Sequence, residues 1–115
     1  MRRFPETRSA KLARKTLLAR RDQIDLLSAR LRREEDELQG RRPDPLDRAK
    51  DLEAREVFQA LQAAESGDLA EVDAALQRIS LGTWGKCQRC GSTIGELRLR
   101  AIPQARCCMA CAAAR

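Results

Sequence analysis

Apolar residues return at every seventh position along the first third of the chain: Ala10, Leu17, Ile24, Leu31 and Leu38, with Leu27 adding a position to a second seam. The positions between them are dominated by Arg, Lys, Glu and Asp. A sustained seven-residue repeat lays one narrow apolar stripe against another helix, so it predicts a coiled-coil helix from about Ser9 to Gln39. A second seam runs through Ala54, Val57 or Phe58, Leu61, Ala64, Leu69, Val72, Leu76 and Ile79. It predicts a helix from about Pro45 to Ser80. Gly67 interrupts this second helix, and a glycine there costs about 1 kcal/mol relative to alanine. The seam resumes close to phase beyond it. One helix with a weak point is therefore expected, and a break into two helices is the alternative.

Between the two seams lies Gly40-Arg41-Arg42-Pro43-Asp44-Pro45-Leu46-Asp47-Arg48-Ala49. Gly40 is a candidate helix stop, because glycine takes left-handed backbone angles at low cost. Pro43 and Pro45 prevent a helix from running through. Asp44 occupies an N-cap position, Pro45 the first helical position and Asp47 the third, where an acid faces the positive helix pole. The chain should turn back on itself here, with acid at the tip. The predicted fold is all-α dominated: a long antiparallel two-helix coiled-coil hairpin over residues 8–80, with its tip at about 40–49. A flexible basic tail, residues 1–7, precedes it.

Composition fits a helix pair better than a compact core, since 35% of the 115 residues are charged and 3% are aromatic. The formal net charge of +6 admits nucleic acid, an anionic membrane or an acidic protein surface as partner. No apolar run approaches the roughly 18 residues of a membrane span. No apolar stretch follows Met1-Arg2-Arg3-Phe4-Pro5, so no signal peptide is expected and the cytoplasm is the expected compartment. The chain has no histidine, which removes histidine-based catalysis.

A two-helix pair buries little, so its open end needs an anchor, and residues 81–115 supply a candidate. Cys87-x2-Cys90 and Cys108-x2-Cys111, separated by seventeen residues, carry the spacing of a four-thiolate zinc site. Gly91 permits a tight turn after the first pair. With all four positions filled by protein, the zinc is structural, and its binding supplies most of the folding free energy of so small a segment. Rubredoxin-type iron is the minor alternative. Lys86, Arg89, Arg98, Arg100 and Arg106 lie near enough in sequence to offset the negative site. Cys107 is read as a small apolar residue behind the site, with ligation in place of Cys108 or a redox-sensitive thiol as alternatives. Trp84 is read as a local core aromatic. Ile94 to Ile102 looks like a short strand.

Three stretches carry a family resemblance. Asp44-Pro45-Leu46-Asp47-Arg48-Ala49, Gly82-Thr83-Trp84-Gly85-x-Cys87-x2-Cys90-Gly91, and Ile94-Gly95 through Arg98, Pro103 and Cys108 to Cys111 resemble the DksA/TraR family of bacterial RNA polymerase regulators. The resemblance implies a non-enzymatic transcription regulator. Its coiled coil enters the polymerase secondary channel, its tip residues Asp44, Asp47 and Ala49 act near the active centre, and its zinc end stays at the rim. It implies modulated promoter complexes without sequence-specific DNA binding, no membrane, and a monomer. Members that bind the alarmone (p)ppGpp with polymerase carry basic residues where this chain has Ala64, Glu71, Ile102 and Ala112, so a weak or absent (p)ppGpp response is expected.

Bland and rival readings stand beside this one. Helix capping by itself accounts for Asp44 and Asp47, and charged runs are the ordinary solvated faces of coiled coils. A nucleic-acid-binding zinc-finger protein has the net charge in its favour, but the acidic tip repels phosphate and interleaved aromatics are missing. A transcript-cleavage-type factor, with tip carboxylates on a catalytic Mg(II), is the enzymatic rival.

Overall fold

The computed structural model describes residues 6–40 and 48–114, which form four helices: α1 (Arg8–Gln39), α2 (Arg48–Leu81), α3 (Glu96–Ala101) and α4 (Met109–Ala113). Among the described residues there is no strand, only an isolated antiparallel bridge between Lys86 and Thr93. Two long helices and a terminal cysteine cluster are the fold class that the heptads and thiol spacing predict.

Helix α1 starts earlier than its apolar period suggests. Thr7 caps it: the Ala10 amide donates to Thr7 Oγ1 at 3.1 Å, and the Lys11 amide to the Thr7 carbonyl at 3.0 Å. Glu6 pairs with Arg14. Glu6 and Thr7, expected in a flexible tail, are held by these contacts; the rest of that expected tail lies outside the described residues. At its other end, α1 does not stop through a left-handed glycine. Gly40 lacks a positive φ, and its amide continues the helical ladder to the Asp36 carbonyl at 3.0 Å.

The charges on α1 run against its own dipole. Its first turn holds Arg8 and Lys11 and no acid; its last holds Asp36 and Glu37 and no base. Each such placement costs about 0.3–1 kcal/mol at low ionic strength. Helix α2 has the ordinary arrangement, with Asp51 in its first turn and Arg78 in its last.

The chain divides into two compact units, Asp22–Leu69 and Met1–Arg21 with Ala70–Arg115. In the first, Leu31 is buried and Ile24, Leu38, Phe58 and Leu69 are half-buried. Polar pairs share the seam: Ser28 Oγ donates to Glu65 Oε2 at 2.7 Å, and Gln62 Nε2 to Glu35 Oε2 at 2.9 Å. The partner number falls as the α1 number rises, so the two segments are antiparallel. This corrects part of the predicted seam. Of the alternatives Val57 and Phe58 the seam takes Phe58; Leu27, Leu61 and Ala64 are exposed, and Ser28, Gln62 and Glu65 take their places. Counting back in sevens from Ile79 and Val72 lands on Glu65 and then Phe58, so the heptad phase holds through one polar position.

Helix α2 is continuous through Gly67, as the resumed seam predicts. Gly67 meets no packing constraint, since a Cβ built there has nothing within 4 Å. The helix ends in a Schellman motif: Gly82 has φ 75°, its amide bonds the Ile79 carbonyl at 3.2 Å, and the Thr83 amide bonds the Arg78 carbonyl at 3.0 Å.

In the second unit, Ala10, Ala13 and Leu17 of α1 and Val72, Ala75 and Ile79 of α2 are buried, together with Ile94 and Ala105. The loop after α3 is tied through its carbonyl oxygens to both long helices and to Trp84, just beyond α2. Trp84 Nε1 donates to the Pro103 carbonyl at 2.9 Å, Arg78 Nη2 to the Gln104 carbonyl at 3.3 Å, and Arg20 Nη1 to Gln104 Oε1 at 2.8 Å. Arg78 is 7% exposed. Burial lowers its pKa from the ordinary arginine value, Glu71 opposes that and Arg106 adds to it.

The strand expected from Ile94 to Ile102 is instead helix α3. Its alternation is misleading because Leu97 is 80% exposed. Among the described residues no neighbouring strand offers a ladder, and a short helix satisfies the backbone locally: the Leu99 amide bonds the Gly95 carbonyl at 3.0 Å. Glu96 in the first turn, and Arg98 and Arg100 in the last, suit its dipole.

Candidate metal centre

The four cysteines with metal spacing come together. The sulfurs of Cys87, Cys90, Cys108 and Cys111 all lie within 4.8 Å of one another, and Cys90 and Cys108 approach to 3.8 Å. Two local structures place them. The first is a tight loop whose ends pair: the Cys87 amide donates to the Ser92 carbonyl at 2.7 Å, the Ile94 amide to the Gly85 carbonyl at 2.8 Å, and the Gly91 amide to the Cys87 carbonyl at 2.9 Å. Gly91 takes φ 76°, a conformation that strains a residue with a side chain, and this reverses the chain after Cys90. The second is the start of α4, where Cys108 is the N-cap and Cys111 lies in the helix.

Electrostatics divide the four thiols. Hydrogen bonds from the backbone of Cys108 and then Cys90 hold Cys87 down to about 5. The Ser92 side chain, then its backbone, lowers Cys90. Cys111 is pushed up to about 12, chiefly because it donates to the Cys108 sulfur and then to those of Cys90 and Cys87. Four sulfurs this close cannot all ionise against one another without a cation between them, and the last keeps its proton. A dication in that space replaces the proton and satisfies all four. An all-thiolate tetrad is a structural zinc donor set, with no position left open for substrate.

Sequence reasoning assigned five nearby cations to offsetting the site's charge, and the structure gives most of them other partners. Arg98 Nε donates to the Cys107 carbonyl at 3.0 Å and Arg89 Nη1 to the Ala114 carbonyl at 2.8 Å, which fasten the α4 segment to the finger. Arg106 pairs with Glu71 at 3.2 Å and Arg100 with Glu96 at 3.1 Å. Cys107 is half-buried and stands outside the tetrad. Ser92 was not anticipated; a hydroxyl residue directly after Cys90-Gly91 was its only signal.

Asp44 and Asp47, the candidate tip residues, lie outside the described residues. Ala49 is exposed on the first turn of α2. No described helix is long and apolar enough to cross a membrane.

Comparison with known proteins matches both parts of the chain. A family model of the prokaryotic DksA/TraR C4-type zinc finger covers residues 80–115, and one of the N-terminal domain of DnaK suppressor-like proteins covers residues 14–79. An uncharacterized protein of Aquifex aeolicus (strain VF5) is 47% identical over 57 residues, which span 50% of this chain and 39% of that relative. Among solved structures, transcription factor DksA2 from Pseudomonas aeruginosa aligns with a TM-score of 0.84 at 28% identity, over 90% of this chain and 80% of the other. The solution structure of DnaK suppressor protein from Agrobacterium tumefaciens C58 aligns with a TM-score of 0.60 at 37% identity, over 91% and 92%.

Proposed function

We propose that this chain, which belongs to the DksA/TraR family of C4-type zinc-finger proteins, regulates transcription by binding RNA polymerase and placing the turn between α1 and α2 in its secondary channel. The observation that carries the reading is the likeness at a TM-score of 0.84, over 90% of the chain, to a protein described as a transcription factor. The thiolate tetrad fits the same reading, because it braces rather than reacts. Zinc, when bound by Cys87, Cys90, Cys108 and Cys111, cross-links the finger loop to α4.

In this reading Asp44, Asp47 and Ala49 are the working residues, and the protein is not an enzyme. The carboxylates of Asp44 and Asp47 act on the polymerase's own charged elements and shift the stability of promoter complexes. A polymerase partner places the protein in the cytoplasm as a monomer, without direct sequence-specific DNA binding. A weak or absent (p)ppGpp response follows from Glu71, a carboxylate paired with Arg106 where responsive members carry a cation.

Co-purification with core RNA polymerase, comparing the full chain with one lacking residues 41–47, tests the reading when followed by run-off transcription. Retained binding with lost regulation supports it. Normal regulation by the deletion chain overturns it.

A further inference from the structure

A groove of about 480 Å³ opens between the first turns of α1 and helix α3. Leu12, Ala13, Leu99 and Pro103 line it with apolar surface; Arg8 stands at its rim on α1, and on the α3 side Arg100 and Glu96 neutralise each other at 3.1 Å. Leu12 is 62% exposed, and Leu97, on the same short helix as Leu99, is 80% exposed. This is apolar surface that the fold leaves in water.

The surroundings are strongly basic. Residues 8–21 hold Arg8, Lys11, Arg14, Lys15, Arg20 and Arg21 and no acid. Helix α1 keeps cations in its first turn although its own dipole favours acids there. A sequence that breaks a local stability rule without a compensating contact points to function at that place.

Glu6 pairs with Arg14, which lies about 200° around the helix from Leu12 at 100° per residue, so Glu6 itself sits on the other side of α1. Nucleic acid fits the charge but not the apolar floor, and no aromatic side chain lines the groove for stacking.

We propose that this groove docks an acidic segment of a protein partner. One large aliphatic or aromatic side chain sits against Leu12 and Leu99, and flanking carboxylates face Arg8 and Lys15, one turn to either side of Leu12 on α1. The proposal concerns a different surface from the α1–α2 turn and does not depend on what that turn does.

The test uses the full zinc-loaded chain and a fluorescein-labelled peptide of about a dozen residues, with two leucines at i and i+4 among glutamate and alanine. Anisotropy titration should give saturable binding, and backbone amide shifts should cluster at residues 8–16 and 96–103. Leu12→Ser and Arg8→Gln should each weaken binding about tenfold, as loss of a central anchor does. Leu26→Ser, at a position 72% exposed on the same helix, should leave it unchanged. Equal affinity for a peptide with alanine in place of both leucines overturns the proposal, because charge alone then explains the contact. So does absent binding, or a duplex DNA that binds more tightly with the same footprint.

Discussion

Ser28 Oγ donates to Glu65 Oε2 at 2.7 Å, and Glu65 is only 8% exposed. A carboxylate thus occupies a seam position between two helices where a leucine would pack. Buried polar residues at such positions trade stability for a defined register. Ser28→Ala alone should destabilise the chain by about 1–3 kcal/mol, because it leaves a buried carboxylate oxygen without its donor. Ser28→Ala with Glu65→Leu should restore or exceed the starting stability. Urea denaturation of both single variants and the pair checks this. Additive losses in the pair would show that the bond does not hold the seam.

That pair also marks where the sequence stopped being legible. Ala10, Leu17, Leu31, Val72 and Ile79 are apolar heptad positions, and the pattern finds them because burial requires their side chains to be apolar. Glu65 keeps the phase of Val72 and Ile79 with a polar group, and Ser28 falls one place beyond the Leu27 seam position, so only the facing helix identifies the pair. The cysteine tetrad was fully legible, since metal geometry restricts thiol spacing tightly. Helix α3 was not. In Glu96-Leu97-Arg98-Leu99-Arg100 the alternation imitates a strand, and nothing in the segment itself says that no neighbouring strand exists. Thr7 escaped because its cap lacks the acid that usually follows at the third position.

Gly67 sits mid-helix with open space around it. Gly67→Ala should raise stability by about 0.5–1 kcal/mol, from reduced freedom of the unfolded chain and better helix propensity. A rise in Tm is the readout. A fall in Tm would mean that the helix needs the glycine backbone at this point.

Two leucines five residues apart on α1 should respond differently. Leu17 is fully buried and Leu12 is 62% exposed. Leu17→Ala should cost about 2–5 kcal/mol, through lost transfer energy and a residual cavity. Leu12→Ala should stay within about 0.5 kcal/mol. Denaturation midpoints of the two variants separate a buried seam from an exposed groove.

Metal affinity should rise with pH. In the metal-free tetrad at pH 7 the Cys87 thiol, held to about 5, is already ionised, while Cys111, raised to about 12, keeps its proton. Zinc must displace at least that proton, so log affinity should climb by at least about one unit per pH unit between pH 6 and 8. Competition with a chelator of known pH behaviour measures the slope. A flat profile would place the metal elsewhere. Removing the metal should unfold the finger loop and α4 while much of the signal from α1 and α2 remains in circular dichroism.

The lifetime of promoter open complexes formed by purified polymerase, with wild-type protein against Asp47→Asn, tests the proposed function most directly. Loss of a carboxylate charge at constant shape should abolish the effect on lifetime while polymerase binding and folding stay intact. If Asp47→Asn changes the lifetime as the wild type does, Asp47 serves only to cap a helix, and the assignment of the tip as the working part is contradicted.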